Sequence, residues 1–483
     1  MKKIAIIGAG PGGLAAGMVL SKKGYELHIF EKDNQVGGRS KRLSLGDYHF
    51  DVGPTFLMYL EILEEVFQSA GYDLHKELDI IRLEELYTLM FNDVTFHMSK
   101  DPNENASMYD KYQPGMGKSY LNWLKAQEKK LNAISSILKK PFPNYFHFLR
   151  PDVLRALPYL HPFQSVFTHL STFNKNHNFI HSLSFQAKYL GMASYQAPSI
   201  FTILPYLEHA LGLYHVKGGL NQINHKMAEL IEKNGGHIHL NSPVEEIIVD
   251  KGAAKGLRVN GEAILFDDII INADFAYAMN HLIKPEHLKK YTPEKIEKKR
   301  FSVSTFMLYI GLDTTYDFPH HEIIFSKDYE AYLKGLTGNQ FTDDFSVYVH
   351  NPGLNDDSYA PKGHTSLFVL VPVPNLSAEQ DWSVYKEILK EQTIDLIESK
   401  HGIDLRNHIQ VMKMIDPNGW ANDYNVYRGA VFNLAHNLPQ MLNRRPQNQF
   451  EDISHLYLVG GGTHPGSGLP TIYQSALILK KYL

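Results

Sequence analysis

The hydrophobic pattern of the chain changes period several times, and each change marks an element. Residues 4–7 are a short β-branched run, residues 14–23 follow a helical pattern, and residues 25–30 are apolar again after Gly24. Strand, helix and strand in that order open a parallel α/β unit. The pattern returns in mid-chain, where a helix is expected over 220–233, strands over 237–240 and 244–249, and an apolar run closes at 269–274. Near the end, a strand is expected over 456–459 and helix over 475–481. Alternating residues over 302–312 and 366–373 read as strands of a second sheet.

The turn between the first strand and helix is GAGPGG, residues 8–13, in which Gly8, Gly10 and Gly13 satisfy G-x-G-x-x-G. Gly8 permits the tight turn, Gly10 lets backbone N–H groups reach a pyrophosphate, and Gly13 lets helix and strand pack closely. The anion then lies at a helix N-terminus. The second strand ends in Glu31, placed to accept both ribose hydroxyls and to repel a 2′-phosphate, which disfavours NADP. The arrangement points to NAD or FAD. Far along the chain, GGGTHPGSGLP at 460–470 holds five glycines, more than one surface turn requires. Its backbone is expected to approach something closely.

Composition excludes several alternatives. Apolar residues form 43% of 483, enough for two or three packed units. A formal charge of −4 argues against a nucleic-acid platform. The absence of cysteine excludes disulfides, thiolate metal sites and a cysteine nucleophile, and fits a reducing cytosol. No cleaved leader is expected before the first strand, and no apolar run reaches the roughly 20 residues of a transmembrane helix. The 25 histidines raise the question of a metal. His237 and His239 share a strand face without an acidic cluster, and His320 and His321 fall in an expected loop, so no metal site is expected.

From Glu31 the chain runs into a Gly37-Gly38-Arg39 turn. Alone this would be a hairpin with a solvated arginine. Directly after Glu31 it resembles the second glycine-arginine motif of the flavin amine oxidase superfamily, and a guanidinium suits a diphosphate. Further segments resemble the bacterial-type carotenoid desaturases, the phytoene and dehydrosqualene desaturase family of that superfamily. They are THPGSGLP at 463–470, SFQAKYLGMASYQAP at 184–198, VKGGLNQ at 216–222, STFMLYIGLD at 304–313 with the following PHH at 319–321, YRGAVF at 427–432, and Arg445-Pro446. The likeness covers nearly the whole chain in order. It departs at Ala193, Ser194, Asn433 and residues 471–473.

The resemblance implies FAD as cofactor. It places Gly8, Gly10, Gly13, Glu31, Arg39 and the 460–462 loop (Gly460, Gly461, Gly462) on the nucleotide, and Val244 at the adenine. Gly53, Pro54, Thr55, Gly468 and Thr471 then fall beside the flavin, with a helix N-terminus aimed at the N1–C2=O edge. It further implies an α/β fold with a discontinuous Rossmann-like FAD-binding domain over 1–80, 214–275 and 415–483. A mixed-sheet substrate-binding domain is expected over 81–135 and 276–414, and a helical, membrane-associated cap over 136–213. Residues 139–173 interleave aromatics with Lys139, Lys140, Arg150 and Arg155 against one acid, Asp152, and their prolines break them into short helices. Packing as a helical cap on the substrate domain is the alternative.

The implied reaction desaturates an apolar polyene precursor by hydride transfer to flavin. Arg150, Asp152, Glu208 and His464 are the candidate catalytic groups; surface charge is the alternative for the first two and loop bracing for the last. A carotenoid end-group oxidase, a saturase or isomerase, and a non-catalytic carotenoid carrier are the competing readings. The implied location is cytoplasmic, peripheral on the inner face of the cell membrane, beside other carotenoid-pathway enzymes.

Overall fold

Five parallel strands, in the spatial order Leu456–Leu458, Asp268–Ile271, Lys3–Ile7, Glu26–Phe30 and His237–His239, form the floor of the nucleotide-binding unit. The computed structural model describes the backbone of residues 1–483 and every side chain apart from that of Tyr189. Ile7 lies opposite both Phe30 and Ile271, and Ile271 opposite Leu458. The strands therefore end level, and Gly8, Glu31, Asn272 and Gly460 issue from one edge. In open α/β sheets that edge is where ligands bind.

Helices Pro11–Leu20, Leu60–Ser69, Asn221–Lys233 and Leu469–Leu479 cover one face of this sheet. The last begins earlier than the pattern over 475–481 indicated, because residues 469–474 already face the core or the cavity. The opposite face carries an antiparallel sheet of Val244–Asp250, Ala253–Val259 and Glu262–Leu265. Ala276, Met279, Leu282, Leu288 and Ile296 pack into that same core. These side chains thus bury against this sheet rather than the second one.

The second sheet has seven strands in the order Ile409–Ile415, Ser304–Leu312, Thr365–Val373, Val347–His350, His321–Ile324, Glu85–Met90 and Thr95–Ser99. All pairs are antiparallel except His321–Ile324 with Glu85–Met90. Every residue of Ser304–Leu312 is buried. His321 belongs to a strand, not to the expected loop: it pairs with His350, and both are buried.

Helical segments between residues 102 and 211 lie over this sheet. Met116–Leu138 is the longest, at 23 residues. Residues 139–173 form the expected short pieces: a 3-10 turn at Tyr145–Leu149 and helices Pro151–Leu160 and Val166–Leu170. Among the described residues, no helix is long and apolar enough to cross a membrane.

A buried polar hub locks helices to sheet. Glu208 Oε2 accepts from Gln186 Nε2 (2.7 Å) and the Tyr87 hydroxyl (3.1 Å). His209 bonds Tyr87 through Nε2 (2.7 Å) and Tyr120 through Nδ1 (2.8 Å). Burial pushes Glu208 up to about 8 and His209 down to about 3, so the hub is neutral at pH 7. The folded Glu208 keeps its proton to about pH 8, whereas the unfolded chain loses it near 4.5. Its contribution is therefore present at low pH and lost as pH rises from about 5 to 8. Glu208→Gln keeps a neutral side chain of the same shape. Its melting temperature should match the parent's near pH 5 and exceed it increasingly towards pH 8, as the stability gap widens by up to about 1.4 kcal/mol per pH unit. Thermal scans across this range check it.

Candidate functional site

The level strand ends open into a cavity of about 600 Å³ that runs from Glu31 and Val244, past the 460–471 loop, to the helices at Leu131 and Leu204. Its first end is made of backbone. Gly8 has φ +95°, and a Cβ on Gly13 would stand 2.1 Å from the Gly8 carbonyl oxygen. Gly10 differs: its nearest neighbour would be 3.2 Å away, on Asn272, and the residue lines the cavity. Glu31 is held by the N–H groups of Ala9 (2.8 Å, to Oε2) and Asp33 (3.0 Å, to Oε1). Burial raises its pKa while these two donors oppose the rise.

Asn272 carried no sequence signal, yet it joins three turns. Its Nδ2 donates to the Gly8 carbonyl (3.1 Å), and Cβ atoms on Gly12, Gly13 and Gly460 would stand 2.4, 3.0 and 3.1 Å from its amide. The glycines of the terminal loop also have a packing reason. A Cβ on Gly462 would meet Phe275 Cβ at 2.5 Å and Asn433 Oδ1 at 2.8 Å. Arg445, fully buried, donates to the carbonyls of Gly461 (2.6 Å) and Thr463 (3.2 Å) from behind the loop. Burial lowers its pKa to about 9.

Two of the departures from the resembled pattern, Asn433 and Thr471, have local explanations. Asn433 has φ +64°, which glycine and asparagine tolerate best, and its Nδ2 donates to Asp274 (2.7 Å). The Thr471 hydroxyl faces the carbonyls of Gly466, Ser467 and Gly468 at 2.8–3.1 Å, closing the loop at the helix start.

A dinucleotide fits these residues. Helices Pro11–Leu20 and Leu469–Leu479 both start at the cavity with a glycine N-cap, no side-chain cap and no acid in the first turn. Their dipoles favour an anion. The half-buried guanidinium of Arg39 makes one hydrogen bond among the described residues, to the Val431 carbonyl (2.7 Å), so its other N–H groups are left for phosphate oxygens. Gly53 must be glycine because a Cβ there would stand 2.4 Å from the Arg39 carbonyl oxygen. Beside it Pro54 lines the cavity, and the Thr55 hydroxyl bonds Tyr348 (2.7 Å).

The four candidate catalytic groups are not brought together. Arg150 and Asp152 form a two-pronged pair (3.0 and 2.6 Å) that also holds Lys140 (2.8 Å), away from the cavity wall. These cations hold the Asp152 carboxyl well below the usual range. Glu208 lies in the hub, while Leu204 and Leu207 reach the cavity. His464 does line the cavity; its Nε2 donates to the Lys140 carbonyl (3.1 Å), and burial lowers it to about 4. His436 and Lys188 line it too, although neither was singled out from sequence. His320, His321 and His350 converge with ligand nitrogens within 4.8 Å of one another, all lowered in pKa by burial.

A parallel sheet with a glycine-cradled acid, a terminal loop returning to it and a second sheet facing the same cavity fit a flavoprotein oxidoreductase. The chain belongs to the flavin containing amine oxidoreductase family, whose sequence model matches residues 11–478. It is FAD-dependent. It is 44% identical to a 4,4'-diapophytoene desaturase (4,4'-diapolycopene-forming) of Methylomonas sp, over 100% of this chain and 95% of that one. It is 34% identical to an all-trans-zeta-carotene desaturase of Myxococcus xanthus, over 100% and 93%. Among solved structures it shares the fold of putrescine oxidase bound to putrescine, with a TM-score of 0.64, 13% identity, and coverage of 100% and 97%.

Gly13→Ala should fold but lose cofactor, because the methyl would push the first helix off Gly8. Flavin absorbance per protein should fall to below about a tenth of the parent's. Parent-like flavin content would show that the close helix contact is dispensable.

Proposed function

We propose that this protein desaturates a long acyclic carotenoid precursor of the phytoene or dehydrosqualene type. The carrying observation is that one continuous cavity joins the nucleotide cradle to an apolar chamber lined by Phe56, Ile62, Leu131, Ile134, Leu204 and Leu207. The two desaturase relatives, aligned along the whole chain, support the same reading. FAD, when bound, supplies the hydride acceptor. The apolar walls hold a hydrocarbon extended and keep water from the reacting carbons. His436 and His464 stay neutral by burial, so neither adds positive charge beside carbons that are losing hydride.

The same reading includes peripheral attachment to the inner face of the cell membrane. Phe146 is 80% exposed and Phe163 fully exposed, with Tyr145, Leu149, Leu154 and Leu157 also outward. The cavity wall follows the helix Met116–Leu138 to Lys139, where this patch begins, which gives an apolar substrate a short path from lipid. Lys139 is paired with Glu65 (2.8 Å), and Lys140 and Arg150 with Asp152. Apolar burial is thus the main attraction, with charge secondary.

Anaerobic mixing with diapophytoene or phytoene in liposomes should bleach the flavin band near ~450 nm without NADH and yield a polyene two hydrogens lighter per step. A polyene that gains oxygen would favour an end-group oxidase, and binding without change a carrier. Replacing Phe146 and Phe163 together by serine should reduce liposome flotation at least severalfold while leaving flavin content intact. Unchanged flotation would remove the patch from membrane attachment.

A further inference from the structure

Lys188 is a buried lysine whose amine the fold leaves unpaired. Its side chain is 8% exposed and lines the cavity. Among the described residues its Nζ has no hydrogen bond or ion pair. Instead it stands over three ring faces, 5.1 Å from the centroid of Tyr329, 5.8 Å from Phe325 and 5.9 Å from Tyr332. Lys130, also buried, shows what a structural lysine looks like: it donates to Thr202 Oγ1 (2.8 Å) and the Ser199 carbonyl (3.1 Å).

The turn that carries Lys188 is tied to the flavin loops. The Leu190 carbonyl faces His436 Nδ1 (3.4 Å), and His436 Nε2 accepts from the Ser467 N–H (3.0 Å). Gly191 abuts Ser302, where a Cβ would stand 2.2 Å from the serine Cβ. Ser302 in turn bonds the backbone of Phe432 (3.0 Å) and Asn433 (2.9 Å). The turn that carries Lys188 is therefore tied through Leu190 and Gly191 to the 460–471 loop and the 432–433 backbone. The other basic groups on this part of the wall are occupied or weakly basic. Lys139 is paired with Glu65, and His436 has both ring nitrogens engaged. His464 donates through Nε2 to the Lys140 carbonyl and keeps an unpaired Nδ1, but burial lowers its pKa to about 4, a far weaker base than the amine.

We propose that Lys188 presents a free amine to the polyene and accepts the proton released in desaturation. The inference rests on the desaturase reading above. FAD, when bound, would take the hydride from one carbon; the part of Lys188 is at the neighbouring carbon, where the C–H bond breaks. Its electron pair becomes the new π bond, and the proton joins the nitrogen lone pair. The resulting ammonium is held by the faces of Phe325, Tyr329 and Tyr332. Burial lowers the amine to about 7, where a base operates near neutral pH. The groups facing it are Tyr329 and Tyr332, both kept neutral by burial, and His181, lowered to about 4. Glu330, the nearest carboxylate on the Tyr329–Thr337 helix, is paired with His177 (3.1 Å).

Holoenzyme in liposomes, incubated with a C30 apocarotenal and cyanoborohydride, tests the free amine without turnover. Imine formation releases water, reduction gives a secondary amine, and peptide mapping should find it at Lys188 in the parent and not in Lys188→Met. Labelling confined to surface lysines would overturn the proposal. In turnover, parent kcat should climb as pH rises towards 7 and then level. Lys188→Met and Lys188→Arg should lower kcat by roughly a hundredfold or more with flavin content and KM little changed, and should lose that pH step. A Lys188→Met enzyme with parent-like kcat and profile overturns the assignment and leaves the desaturase reading standing. A parent that forms the adduct yet desaturates nothing overturns the reading and upholds only the free amine.

Discussion

The contact between Asn272 and the first glycine turn is the constraint on which the cofactor half of the molecule depends. One amide sets the separation of the first helix, the first turn and the 460 loop, because Gly12, Gly13 and Gly460 all close on it. Any side chain at Gly12 or Gly13 would part them, and the two helix N-termini would no longer face one point. The level strand ends bring Asn272 there: it follows Ile271, in register with Ile7 and Leu458. Sheet register and cofactor geometry are in this sense one specification.

The two ends of the cavity differ in electrostatics. The nucleotide end has two uncapped helix starts and the half-buried Arg39, all favouring anionic ligand groups. The apolar end is kept neutral by desolvation, which lowers His436 and His464 and draws Lys188 towards its free-base form. Hydrocarbon chemistry needs that second condition, because a fixed cation beside carbons losing hydride would oppose the charge they develop.

What could be read from sequence was whatever has a fixed spacing. Gly8, Gly10, Gly13 and Glu31 are separated by the geometry of one strand–helix–strand unit, so their pattern carries its own explanation. The glycines at 460–462 were legible as crowded backbone, but not the reason: Gly462 yields to Phe275 and Asn433, from distant parts of the chain. Asn272, His436 and Lys188 were not legible, because a single amide, imidazole or amine has no signature until tertiary packing surrounds it. His321 was misplaced because two adjacent histidines look like loop; His320 does precede the strand, whereas pairing with His350 puts His321 in it. Arg150 and Asp152 looked like a reactive pair and are turned to each other and to Lys140.

The weave of the nucleotide sheet has a consequence for biogenesis. Its order places Leu456–Leu458 beside Asp268–Ile271 and Lys3–Ile7, and the Tyr25 hydroxyl donates to the Leu483 carbonyl 458 residues away. On the ribosome, the early strands emerge long before the partner that completes their sheet. Until then Ile269–Ile271 presents an open edge, the kind of surface that seeks any passing strand. The seven-stranded sheet, whose strands all lie between residues 85 and 415, closes before the nucleotide-binding unit does. The cradle formed by Gly8, Asn272 and Gly460 is thereby complete only once the last strand and its loop have been made.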